Sequence, residues 1–124
     1  MNAKHNIGQD AHLLKAYFSA LIRTRVRERK DRLSLFYILE ERAHDKKYAD
    51  KTYLIFEGAR WTYKQVYDIA LSYGTFFKNE YGVQAKDIVA VDFGNSEQFI
   101  FVWLGLWAIG ARPAFLNYNL TGKP

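Results

Sequence analysis

The stretch 98–119, QFIFVWLGLWAIGARPAFLNYN, constrains the fold more than any other part of the chain. Residues 99–109 carry no charge, and their only polar side-chain groups are the indole N–H groups of Trp103 and Trp107. A helix that is apolar on every side must be covered on every side, so we expect the chain to fold around it. Gly110 is the predicted stop, and the apolar residues beyond it predict a buried strand. The helix is too short to span a bilayer, which needs about 20 apolar residues.

A second helix is predicted from residue 62 onward. Thr62 and Gln65 have the spacing of a capping box, in which the hydroxyl and the glutamine side chain each bond to the other residue's amide. Gly82 supplies the predicted stop. The expected buried stripe consists of Val66, Ile69, Ala70, Tyr73, Phe76 and Phe77.

Two strands are predicted on either side of the apolar helix. Val and Ile dominate residues 87–93, which we interpret as a strand covered on both faces, as in a parallel sheet. Asn95 or Ser96 is expected to cap the apolar helix, and the strand at 113–116 then returns beside the first, through a right-handed crossover. This alternation of helix and strand is typical of a doubly wound α/β layer.

Between the basic region and residue 62 the sequence predicts a short helix and a hairpin. Ser34 can cap a helix whose apolar side includes Leu35, Phe36, Ile38, Leu39 and Ala43. Residues 45–51 are polar and are interpreted as a loop. Residues 52–56 are rich in β-branched and aromatic side chains, a tight turn follows at 57–59, and residues 60–61 begin a returning strand.

The N-terminal third is amphipathic and then strongly basic. Residues 1–11 are polar without a period, and we interpret them as a disordered arm. From residue 13, apolar side chains recur at one-turn spacing. The block 23–32 then carries +4 of the chain's net charge of +5. These features rest on Leu13, Leu14, Tyr17, Phe18, Leu21, Ile22, Arg23, Arg25, Arg27, Arg29, Lys30 and Arg32.

Two interpretations of this segment stay open. It can lie on an anionic membrane surface, where each basic residue near the lipid contributes about 1 kcal/mol. It can instead be a surface helix packed on the body of the protein, with its arginines solvated or paired, and we favour this second interpretation. Nucleic acid is disfavoured because the basic run lacks interleaved aromatic residues. We predict a basic amphipathic segment at 1–32 and a separate domain portion at 33–124.

The sequence contains no common catalytic constellation. It has no phosphate-binding glycine loop and no nucleophile elbow. The absence of cysteine excludes disulfides and thiolate ligands. His5, His12 and His44 lack the spacing of a metal site. The sequence therefore nominates no catalytic, no cofactor-binding and no metal-binding residue.

A few polar and aromatic residues are candidates for ligand contact. Asp92, Tyr118 and Asn119 follow the two predicted parallel strands, at the edge where α/β proteins bind ligands. Such residues more often cap loops, and that is the interpretation we favour. Asp87 and Asp92 flank one strand but are expected to point apart, so they do not form an acid–base pair. Trp103 and Trp107 fit a core or an interface better than a cofactor site.

Two segments resemble the core motifs of a known superfamily. Residues 61–66, WTYKQV, resemble the first core motif of the adenylate-forming enzymes, which include acyl-CoA synthetases, luciferases and peptide-synthetase adenylation domains. Residues 106–119, LWAIGARPAFLNYN, resemble the second. Within 95–124, the segments WLGL and NYNLTGKP and a Gly-Ala pair are similar to the fatty acid transport protein branch, the very-long-chain acyl-CoA synthetases. The resemblance covers residues 33–124.

The resemblance implies an α/β fold: the N-terminal part of the large domain of such an enzyme, with a small hairpin and the start of a doubly wound parallel sheet. It implies ATP-dependent activation of a long- or very-long-chain fatty acid to its acyl-CoA, linked to fatty acid uptake, with ATP, Mg²⁺ and coenzyme A. It also implies association with an intracellular membrane, that of the endoplasmic reticulum or peroxisome, or with the plasma membrane.

The family's catalytic parts do not map onto this sequence. The phosphate loop, the Mg-binding glutamate, the ribose-binding aspartate and the mobile lysine would all lie beyond Pro124. We therefore expect the 124-residue chain alone to be inactive, and to fold poorly because its apolar helix would expose a large patch. The alternative is a non-catalytic module that binds a membrane surface or a partner.

Overall fold

The computed structural model describes residues 7–30 and 32–116, with side chains described from residue 10 onward. The chain divides into two compact units, Met1–Leu33 and Ser34–Pro124. The elements in chain order are α1 (Ile7–Arg29), α2 (Leu35–His44), β1 (Thr52–Phe56), β2 (Ala59–Thr62), α3 (Tyr63–Tyr81), β3 (Ile88–Val91), α4 (Glu97–Ala108) and β4 (Arg112–Phe115).

The first unit contains the long helix α1. It begins at Ile7, so the expectation of a disordered arm is wrong for residues 7–11, while residues 1–6 lie outside the described range. Asp10 in the first turn carries a charge that interacts favourably with the positive end of the helix dipole, which helps the helix start early. The large apolar side chains of α1 from Leu13 onward are exposed, from 40% at Leu21 to 66% at Leu13.

The second unit begins with α2 and the hairpin. The Ser34 hydroxyl accepts a hydrogen bond from the Phe36 amide, which confirms the predicted cap. Leu35 and Ile38, expected on the apolar side, are exposed, and the helix buries Phe36, Leu39 and Ala43. Strands β1 and β2 pair antiparallel as predicted. Their turn places Glu57 and Gly58 at positive φ, as two-residue hairpin turns require.

Helix α3 has the predicted ends. The Thr62 hydroxyl accepts from the Gln65 amide, and the Gln65 side chain accepts from the Thr62 amide. Gly82 ends the helix in the left-handed conformation, with φ of 67°. The predicted stripe is only partly buried: Val66 and Ala70 are inaccessible, whereas Phe76 is exposed.

Helix α4 is the centre of the second unit, as its composition predicts. Ser96 caps it through the Phe99 amide, at 3.3 Å. One side of α4 packs with α2 and α3, and another side packs with the strands β3 and β4. The first cluster contains Phe36, Leu39, Val66, Ala70, Phe101 and Leu104, and the second contains Val91, Val102, Leu106 and Ala111.

Two glycines allow α3 and α4 to approach closely. A Cβ atom added at Gly105 would lie 2.7 Å from the Tyr73 Cβ and 2.9 Å from the Ala70 carbonyl oxygen. A Cβ added at Gly74 would lie 2.8 Å from the Gly105 carbonyl oxygen. Each position is therefore in contact with the backbone of the other helix, and a side chain at either one would separate the two helices.

Strands β3 and β4 form the predicted parallel pair, connected by α4. Gly110 ends the α4 segment with φ of 77°, and its carbonyl accepts from the Lys86 amide at 2.8 Å. The expectation that the first strand is covered on both faces is not met among the described residues. Val91 is buried, but Ile88 is 72% exposed, because the helix that packs on this pair covers one face.

Candidate functional site

The carboxyl edge of the β3–β4 pair is the place where ligands bind in open α/β sheets. Asp92 follows β3 and is exposed at this edge. Tyr118 and Asn119, the other two residues considered there, lie outside the described residues. Of the three candidates, the structure therefore places only Asp92, and it lies in the loop that leads into α4.

The amino end of α4 starts in the loop that leaves this edge. The Ser96 hydroxyl already accepts a hydrogen bond from the Phe99 amide, and Glu97 places a carboxylate in the first turn of the helix. A carboxylate there complements the helix dipole and would repel a phosphate. The described part of the edge thus provides a helix cap and a chain connection.

No group of three or more metal-ligating side chains comes together within the described parts of the chain. Asp87 lies before β3, and its carboxylate accepts from the Gln84 amide at 2.8 Å. It is therefore at the opposite end of the strand from Asp92. The Nδ1 atom of His44 lies 2.8 Å from the carbonyl oxygen of Glu40, which belongs to the same helix.

Trp103 and Trp107 belong to an aromatic cluster on α4. Their ring centroids are 5.0 Å apart, and the Trp103 ring lies 4.9 Å from Phe115 on β4. The buried indole N–H of Trp103 has no acceptor among the described residues. A small cavity of about 70 Å³ lies beside them and is lined by Leu35, Tyr53, Ile100, Trp103, Leu104 and Trp107. The two indoles are packed side chains, as expected.

One charged cluster was missed by sequence reasoning. The Arg42 guanidinium carbon lies 3.7 Å from the centre of the Tyr48 ring, and the ammonium groups of Lys51 and Lys47 lie at 4.8 and 5.3 Å. The guanidinium lowers the pKa of Tyr48 by hydrogen bonding and charge. A turn based on Asp45 brings the groups together, because Asp45 accepts from the amides that follow it. The Asp at a helix end is the sequence signal for such a turn.

Comparison with known proteins identifies the family by sequence. The profile described as AMP-binding enzyme matches residues 39–123. The very long-chain fatty acid transport protein of Cochliobolus heterostrophus is 34% identical over 128 residues, covering 98% of this chain and 19% of the relative. The protein of the same name from Saccharomyces cerevisiae is 48% identical over 69 residues, covering 56% of this chain and 10% of the relative. The chain spans a fifth or less of the length of these relatives.

Solved structures have the same fold. The N-terminal subdomain of Klebsiella oxytoca NpsA, in complex with anthranilyl-AMSN, superposes with a TM-score of 0.64 at 24% identity. The match covers 71% of this chain and 22% of that one. A Rhodopseudomonas palustris protein described as a long-chain-fatty-acid CoA ligase gives a TM-score of 0.65 at 24% identity, over 72% and 22% of the two chains. By its sequence profile, and in agreement with this fold, the chain belongs to the AMP-binding enzyme family.

Proposed function

We propose that this chain contributes the N-terminal part of the scaffold of an ATP-dependent ligase for long- or very-long-chain fatty acids. In that reaction the fatty acid carboxylate attacks the α-phosphorus of ATP and releases pyrophosphate. The thiol of coenzyme A then attacks the acyl carbon, loses its proton and releases AMP. The products are an acyl-CoA thioester, AMP and pyrophosphate.

The observation that carries this proposal is the extent of the similarity to very long-chain fatty acid transport proteins. It reaches across 98% of this chain in the Cochliobolus protein. A human protein named long-chain fatty acid transport protein 6 is also similar, at 32% identity over 83% of this chain. The same branch of the superfamily is the one that the NYNLTGKP segment resembles.

The described residues have a structural role in this proposal. Their carboxylates do not form a set that fits Mg²⁺, and the first turn of α4 is occupied by its own cap and by Glu97. We therefore assign no chemical step to any described side chain. Their contribution is to hold α4 and the parallel strands in place, so that ligand-binding segments can be positioned at the sheet edge.

The direct test uses the native polypeptide. It is immunopurified with an antibody against residues 34–116, its intact mass is measured, and acyl-CoA formation is assayed with and without ATP. We expect a mass several times the 14.5 kDa of this sequence, and ATP-dependent thioester formation from a very-long-chain fatty acid. A native product of 14.5 kDa, or a longer product without ligase activity, would contradict the proposal.

A chimera tests the scaffold role separately. The corresponding segment of the Saccharomyces relative is replaced by the matching part of this chain, and ligase activity is measured. We expect the chimera to stay active within several-fold. Gly105→Leu in the chimera should abolish activity through loss of the fold, because its side chain would enter the backbone of α3. The control Gly94→Ala, whose added Cβ meets nothing within 4 Å among the described residues, should leave the fold intact. A soluble, folded chimera without activity would count against a scaffold role.

We also propose that α1 attaches the protein to the surface of an intracellular membrane or of the plasma membrane. The support is the exposed apolar face of α1 together with the basic residues that follow it. None of the helices in the described ranges has the length and hydropathy needed to cross a bilayer. A helix of this type would lie in the plane of the interface.

Vesicle flotation tests this attachment and also the alternative function, a non-catalytic membrane or partner module. We expect binding to anionic vesicles that weakens as salt is raised, and that is lost when residues 1–32 are deleted. Binding by a native 14.5 kDa product without ligase activity would favour the module. Binding that persists after the deletion would exclude α1 as the attachment segment.

A further inference from the structure

The apolar face of α1 continues directly into two arginines. Phe18, Ile22, Arg25 and Arg29 follow each other at spacings of four, three and four residues, so they lie on one face of the helix. Leu21 lies on the same face, four residues before Arg25. All of these side chains are exposed. The same face of the helix is therefore apolar in its N-terminal part and cationic in its C-terminal part.

We propose that Arg25 and Arg29 bind phosphate groups of anionic phospholipids at a bilayer surface, while the preceding apolar residues insert below the headgroups. This inference rests on the proposed attachment of α1 to a membrane and specifies its ligand. Arginine suits the role because its planar guanidinium can donate two parallel hydrogen bonds to one phosphate. Its apolar stem can lie along the lipid while the charged end reaches the headgroup.

The existing partner of Arg25 does not prevent this binding. Arg25 and Glu28 are 3.9 Å apart, and their side chains are 77% and 57% exposed. An exposed ion pair at this distance contributes little to stability and is screened by salt. Exchange of the Glu28 carboxylate for a lipid phosphate therefore loses little. Glu28 lies at the edge of the same face, seven residues after Leu21, so its negative charge offsets part of the attraction of the two arginines for anionic headgroups.

The composition of the face favours a lipid surface over other partners. Nucleic acid would satisfy the two arginines but would leave Phe18, Leu21 and Ile22 exposed to water. A lipid surface satisfies both halves, because acyl chains accept the apolar side chains and anionic headgroups complement the arginines. The apolar side chains and the positive charge together therefore favour anionic lipid as the partner of this face.

Two double variants of the full chain distinguish the effect of where the charges lie on α1 from the effect of the total charge. Arg25→Gln with Arg29→Gln removes the pair on the apolar face. Arg23→Gln with Lys30→Gln removes the same charge from positions off this face, because Arg23 lies about 200° around the helix from Arg25 and Lys30 lies beyond the last residue of α1. Each protein is floated with phosphatidylcholine vesicles containing phosphatidylserine, and with phosphatidylcholine vesicles alone. Aggregated protein sediments and does not float, and circular dichroism checks that the helix persists.

We expect the wild-type chain to float only with the anionic vesicles. Loss of Arg25 and Arg29 should weaken its partitioning by about 25-fold, since each basic residue at the surface contributes about fivefold. Loss of Arg23 and Lys30 should weaken it less than about threefold, because Arg23 lies across the helix, about a screening length from the lipid, and Lys30 lies beyond the end of α1.

Equal effects of the two variants would overturn the phosphate site while leaving membrane attachment in place. Failure of the wild-type chain to float with either vesicle would overturn the attachment proposal and this inference together. Equal flotation with both vesicle types would support attachment and overturn the selectivity for anionic lipid.

Discussion

Gly105→Ala tests whether the close approach of α3 and α4 holds the second unit together. The added methyl would lie 2.7 Å from the Tyr73 Cβ, 2.9 Å from the Ala70 carbonyl oxygen and 3.1 Å from the Gly74 nitrogen. Ordinary contacts between such atoms are about 3.5–4.0 Å. All three neighbours belong to α3 or lie next to its backbone, so none can move away by rotating a side chain.

The expected cost follows from two opposing contributions. Overpacking in a tight core costs about 1–3 kcal/mol, and backbone obstacles place this case at the upper end. Alanine improves helix propensity over glycine by about 1 kcal/mol. The net destabilisation is therefore about 2 kcal/mol, which corresponds to roughly a 30-fold change in the opening equilibrium.

Hydrogen exchange of the native polypeptide, measured by mass spectrometry, reports this change in the peptides that contain α4. We expect their protection factors to fall by about 30-fold in Gly105→Ala. The matched control is Gly94→Ala, where an added Cβ meets nothing within 4 Å, and its effect should stay within about 0.5 kcal/mol. Unchanged protection in Gly105→Ala, or an equal loss in the control, would refute the close-packing argument.

Three further predictions concern the helix cap, the charged cluster and the isolated chain. Thr62→Ala should reduce protection in α3 by an amount equivalent to about 1 kcal/mol, and Thr62→Ser should restore it, because only the first change removes the hydroxyl bonded to Gln65. Arg42→Gln should raise the pKa of Tyr48 toward its ordinary value of 10.0; the phenolate absorbance lost on Tyr48→Phe, titrated in the wild type and again in Arg42→Gln, measures this shift. Because the folded-state pKa is the lowered one, any stabilisation from the Tyr48 phenolate is present above pH 10 and is lost as pH falls through the folded value. The expectation that the apolar helix would expose a large patch is wrong, because α4 is covered by both clusters; the exposed apolar side chains lie elsewhere and include Ile22 on α1 and Ile88 on β3. Because of these side chains, the isolated 124-residue chain should bind a dye specific for exposed apolar surface, unfold over a broad range and form no acyl-CoA; a sharp transition in a monodisperse monomer would contradict its predicted poor folding.

Local signals account for the parts of the fold that sequence reasoning predicted correctly. The capping box at Thr62, the stop at Gly82 and the hairpin turn at Glu57 and Gly58 each depend on residues within a few positions of one another. Their conformations are set by hydrogen bonds and sterics that adjacent residues largely decide. The order of the later elements follows from the change between helical and strand periodicity.

The features that sequence reasoning missed depend on approach between distant residues. Gly74 and Gly105 give no local sign that they lie against each other, because neither occupies a turn and both are inside helices. Phe76 was assigned to the buried stripe, yet it lies about 100° around α3 from Phe77, which packs against the second cluster, and it is exposed. Helical periodicity thus predicts a face, but it does not say how wide a part of that face the partner elements cover.

Of the candidate site, the sequence predicted the position of Asp92 and the packing of Trp103 and Trp107. Asp92 lies at the expected sheet edge, but the residues around it make a cap and a connection. The cluster at Tyr48 was missed because cation–π pairing across a loop requires the turn geometry at Asp45, which residue spacing alone does not encode. The resemblance of residues 61–66 and 106–119 to two core motifs identified these segments as parts of the family's scaffold.

The parallel pairing of β3 with β4 has a consequence for synthesis on the ribosome. The Lys86 amide bonds to Gly110, and the Arg112 amide bonds to Asp87, so the register is fixed where both strands begin. The strand that begins at Ile88 can therefore pair only after residues up to about 115 have been synthesised. At roughly 5–20 residues per second this is a delay of about 1–5 seconds. During that interval an apolar strand has no partner, so slower translation of α4 should increase aggregation of the nascent chain.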